Sequence, residues 1–168
     1  MNDQEEQAIL MGQIKDNERI IFKICNSYCS NKNDREDLTQ EIIYQLLKSY
    51  HSFSDQYRFS TWMYRVALNV AISFYRKNKS KKVLNYDEIK SDHKDEVSHS
   101  SELEDNLTIL EKYIYQLKEL DKALMILYLE SKSYKEIAEV LGITETNVAT
   151  KISRIKDILK QKFSILKN

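Results

Sequence analysis

Residues 133–144 read Ser133-Tyr134-Lys135-Glu136-Ile137-Ala138-Glu139-Val140-Leu141-Gly142-Ile143-Thr144, and this stretch decides the fold of the chain's second half. Ser133 followed three residues later by Glu136 fits a capping box, in which each side chain takes an orphan amide at a helix start. Ile137, Ala138 and Leu141 then share one face at helical spacing. Gly142 stands where a helix closes on a left-handed residue, a conformation that costs other residues about 1–2 kcal/mol. Thr144 caps the next helix, whose Val148, Ile152, Ile155 and Leu159 recur at i, i+4, i+7 and i+11. Short helix, glycine turn, long helix is the helix-turn-helix design.

The second helix of that design enters the major groove and reads bases with its N-terminal half. Its outward residues here are Glu145, Thr146, Asn147, Thr150, Lys151 and Arg154. Thr146, Asn147 and Thr150 suit base edges, while Lys151, Arg154 and Lys156 suit phosphate or guanine. Any hairpin with a solvated face would present polar residues there. The spacing, and six bases against two acids in residues 141–168, favour DNA. Working backwards, Leu107, Leu110, Ile114 and Leu117 make one helix, and residues 120–129 make another, so apolar that it is expected to be buried.

The rest of the chain also reads as helix, since it holds no proline and only two glycines, and no sustained strand alternation. Residues 4–30 carry Leu10, Ile14, Ile21, Ile24, Cys25 and Tyr28 on one helical stripe. Asp34 is expected to cap a helix with Leu38, Ile42, Ile43, Leu46, Leu47 and Tyr50 inward. Ser52, Ser54 and Asp55 mark a loop, and Ser60 or Thr61 caps a third helix with Met63, Val66, Ala67, Val70, Ala71 and Phe74 as its core stripe. Its opposite face brings Arg65, Asn69, Ile72 and Arg76 together.

Between Asp55 and Asp87 there are seven bases and no acid, with Tyr57, Phe59, Trp62, Tyr64, Phe74 and Tyr75 interleaved. Cations neutralise phosphates and aromatic faces stack on unpaired bases, so the segment reads as a single-strand or melting site. Trp62 belongs either to the stackers or to the core beside Met63. From about Lys77 to Glu102 the periodicity collapses, and residues 87–105 hold eight acids and two bases. The expected architecture is all-α: two small helical domains, residues 1–78 and 103–168, joined by a flexible acidic linker over residues 79–102.

With 168 residues, 42% apolar and 31% charged, the chain has globular composition, and its zero net charge hides this partition. Cys25 and Cys29, four apart on a helix, make a disulfide framework or a metal site implausible and read as buried thiols. His93 and His99 fall in the acidic stretch without preorganisation. No metal and no cofactor is expected. The acidic start and the lack of an apolar run near ~18 residues point to a soluble, cytoplasmic protein without membrane insertion.

Two stretches resemble a known family. Asp34-Arg35-Glu36-Asp37-Leu38-Thr39-Gln40-Glu41, then Phe53 and Phe59-Ser60-Thr61-Trp62-Met63-Tyr64-Arg65-Val66-Ala67-Leu68-Asn69, resemble the second conserved region of the extracytoplasmic-function sigma factors of bacterial RNA polymerase. Residues 120–160, centred on Ser133 to Thr144, resemble their fourth region. The resemblance implies a non-enzymatic promoter-specificity subunit. Asp37, Leu38, Gln40 and Glu41 would dock on the clamp helices of the largest polymerase subunit. Phe53, Tyr57, Arg58 and Phe59 would receive an extruded base of the melted minus-ten element, with Arg65, Asn69, Arg76 and Lys77 holding the strand. Thr144, Thr146, Asn147, Thr150, Lys151 and Arg154 would read the minus-thirty-five element while the module rests on the flap of the second-largest subunit. An anti-sigma factor is a further implied partner. The chain departs from the pattern at Asp55-Gln56-Tyr57, where Gly-Glu-Ser is common, and at Ala149, where a basic residue is frequent.

Two other readings compete. A stand-alone helix-turn-helix regulator would leave Asp37, Gln40 and Glu41 without a role. A small helical nuclease lacks a pair of carboxylates or histidines spaced for one ordered site.

Overall fold

The computed structural model describes residues 2–79 and 102–167, all helices, turns and loops. The chain forms two compact units, divided between His93 and Lys94. The acidic segment expected as a linker lies outside the described residues except for its ends: Lys79 closes one helix and Glu102 opens another.

The first unit holds α1 (Asp3–Asp16), α2 (Glu18–Tyr28), α3 (Lys32–Ser49), a single 3-10 turn (Tyr50–Ser52) and α4 (Phe59–Lys79). The stripe expected on one helix over residues 4–30 is carried by two. Asn17 leaves helical geometry, and its amide and side-chain Nδ2 both donate to the Gln13 carbonyl, at 3.2 and 2.8 Å. That local bond competes with continuing the helix and ends α1. All six stripe residues are nonetheless buried. Asn31, and not Asp34, caps α3: its Oδ1 accepts the Asp34 amide at 2.8 Å, and its Nδ2 donates to the Asp34 carboxylate at 2.8 Å. Ser60 and Thr61 lie inside α4 rather than capping it, and the Arg58 carbonyl receives the first amides, of Thr61 and Trp62.

Helix α4 packs against both α2 and α3, which widens its buried arc beyond a single stripe. Met63, Ala67 and Ala71 are fully buried as expected, and so are Tyr64 and Leu68, while Val66, Val70 and Phe74 are only half-buried. Ile72 moves to the inside for the same reason. Cys25 and Cys29 are buried thiols in no disulfide; Cys25 Sγ lies 3.3 Å from Thr39 Oγ1, and burial raises its pKa.

The second unit holds α5 (Glu102–Gln116), α6 (Glu119–Leu129), α7 (Tyr134–Leu141) and α8 (Glu145–Lys167). Residues 122–127 of α6 are all buried, as their apolar run implies, and Lys122 among them is 1% exposed with its ammonium 4.7 Å from the Tyr115 ring centre. Around α6 close Ile137, Ala138 and Val140 from α7 and the expected stripe Val148, Ile152, Ile155 and Leu159 of α8. Helix α5 contributes less than its periodicity promised. Ile114 is buried, Leu110 and Leu117 pack at the margin, and Leu107 is 52% exposed.

The turns follow from backbone geometry. The Ser131 amide donates to the Tyr128 carbonyl at 3.0 Å and the Lys132 amide to the Leu127 carbonyl at 3.1 Å, a Schellman closure with Ser131 at φ 59°. At the next turn Gly142, φ 69°, and Ile143 both donate to the Ala138 carbonyl, at 2.9 and 3.1 Å. The Ser133 hydroxyl accepts the Glu136 amide, but Glu136 Oε1 receives the same hydroxyl at 3.3 Å instead of the Ser133 amide, so the capping box is only half formed.

Candidate nucleic-acid interface

Helix α8 begins at a side-chain cap. Thr144 Oγ1 accepts the Asn147 amide at 3.1 Å, so this residue's first task is to start the helix. Beyond it Thr146, Asn147, Thr150 and Arg154 are exposed on the side away from the buried stripe. Ser153 and Asp157 continue that side; the three-residue step from Thr150 to Ser153 was the available signal for the serine. Lys151 is partly screened at the flank, with Nζ 3.9 Å from Asp121 Oδ1 of α6. Lys156 is not on this face. Its ammonium sits 4.3 Å from the Tyr128 ring centre, and the hydrogen bond to Tyr128 holds its pKa above the ordinary lysine value.

In the first unit the loop before α4 is braced by rings. Phe53 stacks on Tyr50 at 6.1 Å between centroids and meets Phe59 and Trp62 at 5.8 and 5.5 Å, while Phe59 and Trp62 are 5.5 Å apart. Trp62 is buried and belongs to this cluster, which settles its alternative in favour of the core. Phe53 and Phe59 are half-buried members with restricted faces. Tyr57, 48% exposed, and Arg58 are presented outward at the loop tip, where the Tyr57 amide closes a turn on the Ser54 carbonyl at 3.1 Å.

The uncovered side of α4 carries Arg65, Asn69, Ser73, Arg76 and Lys77, all exposed. Ser73 takes the place on this stripe that Ile72 was expected to hold. Two guanidiniums, an amide and a hydroxyl at helical spacing form a row of donors suited to a phosphate backbone.

On α3 the exposed side bears Asp37, Gln40, Glu41 and Tyr44. Glu41 Oε1 accepts a hydrogen bond from the side-chain Nε2 of Gln45 at 3.2 Å. Leu38 is 0% exposed, so it supports that surface from the core and cannot touch a partner; its place on the apolar face explains why. Tyr44, seven residues after Asp37, is the surface residue that sequence reading left out, although its spacing places it on the same side.

Among the described residues no group of three or more His, Cys, Asp or Glu side chains is placed to hold a metal ion. No described helix is long and apolar enough to cross a membrane. His93 and His99 lie outside the described residues.

Comparison with known proteins agrees in both units. Residues 13–81 match the family model for Sigma-70 region 2, and residues 107–159 match that for Sigma-70, region 4. The chain is 27% identical over 158 residues to the RNA polymerase sigma factor SigV of Bacillus subtilis (strain 168), covering 94% of this chain and 92% of that protein. It is 28% identical over 170 residues to the ECF RNA polymerase sigma factor SigW of the same organism, covering 95% and 89%. In fold it is similar to CnrH, solved in complex with the cytosolic domain of CnrY, with TM-score 0.66 and 16% identity over 95% of this chain and 90% of that one. A similar likeness holds to the sigma factor RpoE from Bartonella quintana, solved with the anti-sigma factor NepR, at TM-score 0.64 and 19% identity over 96% of each. With the two regions in the family's order and together spanning most of its length, the chain belongs to the sigma-70 family, as an extracytoplasmic-function RNA polymerase sigma factor.

Proposed function

We propose that the chain acts as a non-enzymatic promoter-specificity subunit whose two units divide the work, residues 1–78 binding core polymerase and the melted minus-ten element, residues 103–168 reading the minus-thirty-five element. The observation that carries this reading is the uncovered side of α4. Packing on α2 and α3 covers the opposite side of the helix and leaves outward the row Arg65, Asn69, Ser73 and Arg76, beside a loop braced by four rings. A base extruded from a duplex costs a few kcal/mol, which stacking and a fixed backbone clamp return.

At the loop tip Tyr57 is the ring with the most open face, so it is the stacking partner in this reading, with Phe53 and Phe59 as its support. Asp37, Gln40, Glu41 and Tyr44 form the surface for the polymerase clamp helices, and the second unit rests on the flap. Thr146, Asn147, Thr150 and Arg154 face the upstream duplex. The protein would work in the cytoplasm. Because the relatives CnrH and RpoE were solved bound to CnrY and to an anti-sigma factor, an anti-sigma factor is a further partner we propose.

Core polymerase, the chain and a promoter library, followed by mapping of transcript starts, test the reading. Start sites that require the chain support it; the same transcripts without the chain would remove it. Replacing Arg65 and Asn69 with Ala is expected to lower open-complex formation at least about ten-fold while core binding persists, because a hydrogen bond to a charged group is worth about 1.5–3 kcal/mol. A stand-alone regulator would instead bind duplex tightly without polymerase, and membership through both family regions speaks against it.

A further inference from the structure

One cation of the recognition helix is already engaged. Lys151 Nζ lies 3.9 Å from Asp121 Oδ1, with the side chains 35% and 30% exposed. Asp121 stands in the first turn of α6, a helix that packs against α8. Lys151 sits on the flank of α8, one turn after Asn147 and three residues before Arg154, both exposed. On a helix lying in a groove, that flank faces the phosphate backbone.

We propose that Asp121 sets duplex affinity by withholding Lys151: the free chain keeps the ion pair, and a DNA phosphate must displace the carboxylate before the lysine binds the backbone. The proposal rests on the reading of α8 as the duplex-reading helix. Asp121 is a positioning residue here, acting only through Lys151. Partly exposed pairs hold by roughly 1.4- to 5-fold, so a phosphate wins the exchange at a fixed discount. Ion counting gives a sharper signature. When Lys151 reaches DNA, the carboxylate it leaves remains beside the phosphate and offsets the lysine's charge there, so little net cation release follows. Without the acid the release is complete, and the slope of log affinity against log salt steepens by about 0.9.

Holoenzymes carrying the wild-type chain, Asp121→Asn, Lys151→Gln or both are compared on a promoter fragment that the wild type selects from a library, by equilibrium binding over a salt series. Asp121→Asn is expected to bind about 1.4- to 5-fold tighter with a slope steeper by about 0.9, and to change nothing when Lys151 is already Gln. An equal gain in the Lys151→Gln background would mean that the acid merely repels DNA at a distance, and would overturn the proposal. So would weaker or unchanged binding by Asp121→Asn with promoter selection intact. A wild-type chain that selects no promoter would instead sink the functional reading itself.

Discussion

At the scale of single residues, two left-handed positions frame the short helix α7, and they hold opposite residue types. Gly142 at φ 69° has open space where a Cβ would stand, so Gly142→Ala tests backbone strain alone. Thermal or urea unfolding should show a loss of about 1 kcal/mol. Ser131 at φ 59° carries the strain that Gly142 avoids, and Ser131→Gly should raise stability by about 0.5–1 kcal/mol in the same assay, net of the added freedom of the unfolded chain. Gly142 was legible because glycine punctuates helices; Ser131 was not, since only the path of the chain from α6 into α7 demands a positive φ there. Tyr64 gives a pH dependence. Burial pushes its phenol from 10.0 up to about 12, so the fold holds the proton more tightly than the unfolded chain does. Its stabilisation is complete below pH 10 and is lost as pH rises through about 12, a fall on the order of 2–3 kcal/mol that Tyr64→Phe should abolish in denaturation measured across that window.

At the scale of elements, α5 and α6 show how little periodicity says about coverage. Both read as apolar helices, yet residues 122–127 of α6 are buried while only Ile114 of α5 is. The first two turns of α5 leave Leu103 and Leu107 open to solvent within this unit. Native-state hydrogen exchange should therefore find the amides of residues 104–109 among the least protected of the unit's helices and those of residues 122–127 among the most protected, a difference of several kcal/mol in opening free energy. Equal protection would contradict the packing. Helix α4 makes the complementary point. Its expected inward stripe was only part of the buried arc, because two neighbouring helices pack on it, and Ile72 was drawn in with Tyr64 and Leu68.

At the scale of the whole molecule, the charge partition along the chain corresponds to separate surfaces on separately packed units. Lesions in different units should then act independently on promoter binding. Arg65→Ala and Thr150→Ala, combined, should cost the sum of their separate effects within about 0.5 kcal/mol, measured as open-complex formation by the holoenzyme. A coupling above about 1 kcal/mol would mean that the two surfaces do not bind as independent sites. What the sequence by itself determined is local: the helical class, the Gly142 turn, the Thr144 cap and the α8 stripe depend on residues within a few positions of one another. Its two motifs sufficed to indicate the family. Only the tertiary structure decided which sides stay uncovered, that Trp62 is internal, that Phe53 and Phe59 brace each other, and that Lys151 meets Asp121. Those outcomes depend on which distant helix packs against each face, and a periodic pattern states that a face is apolar without stating how many neighbours will cover it.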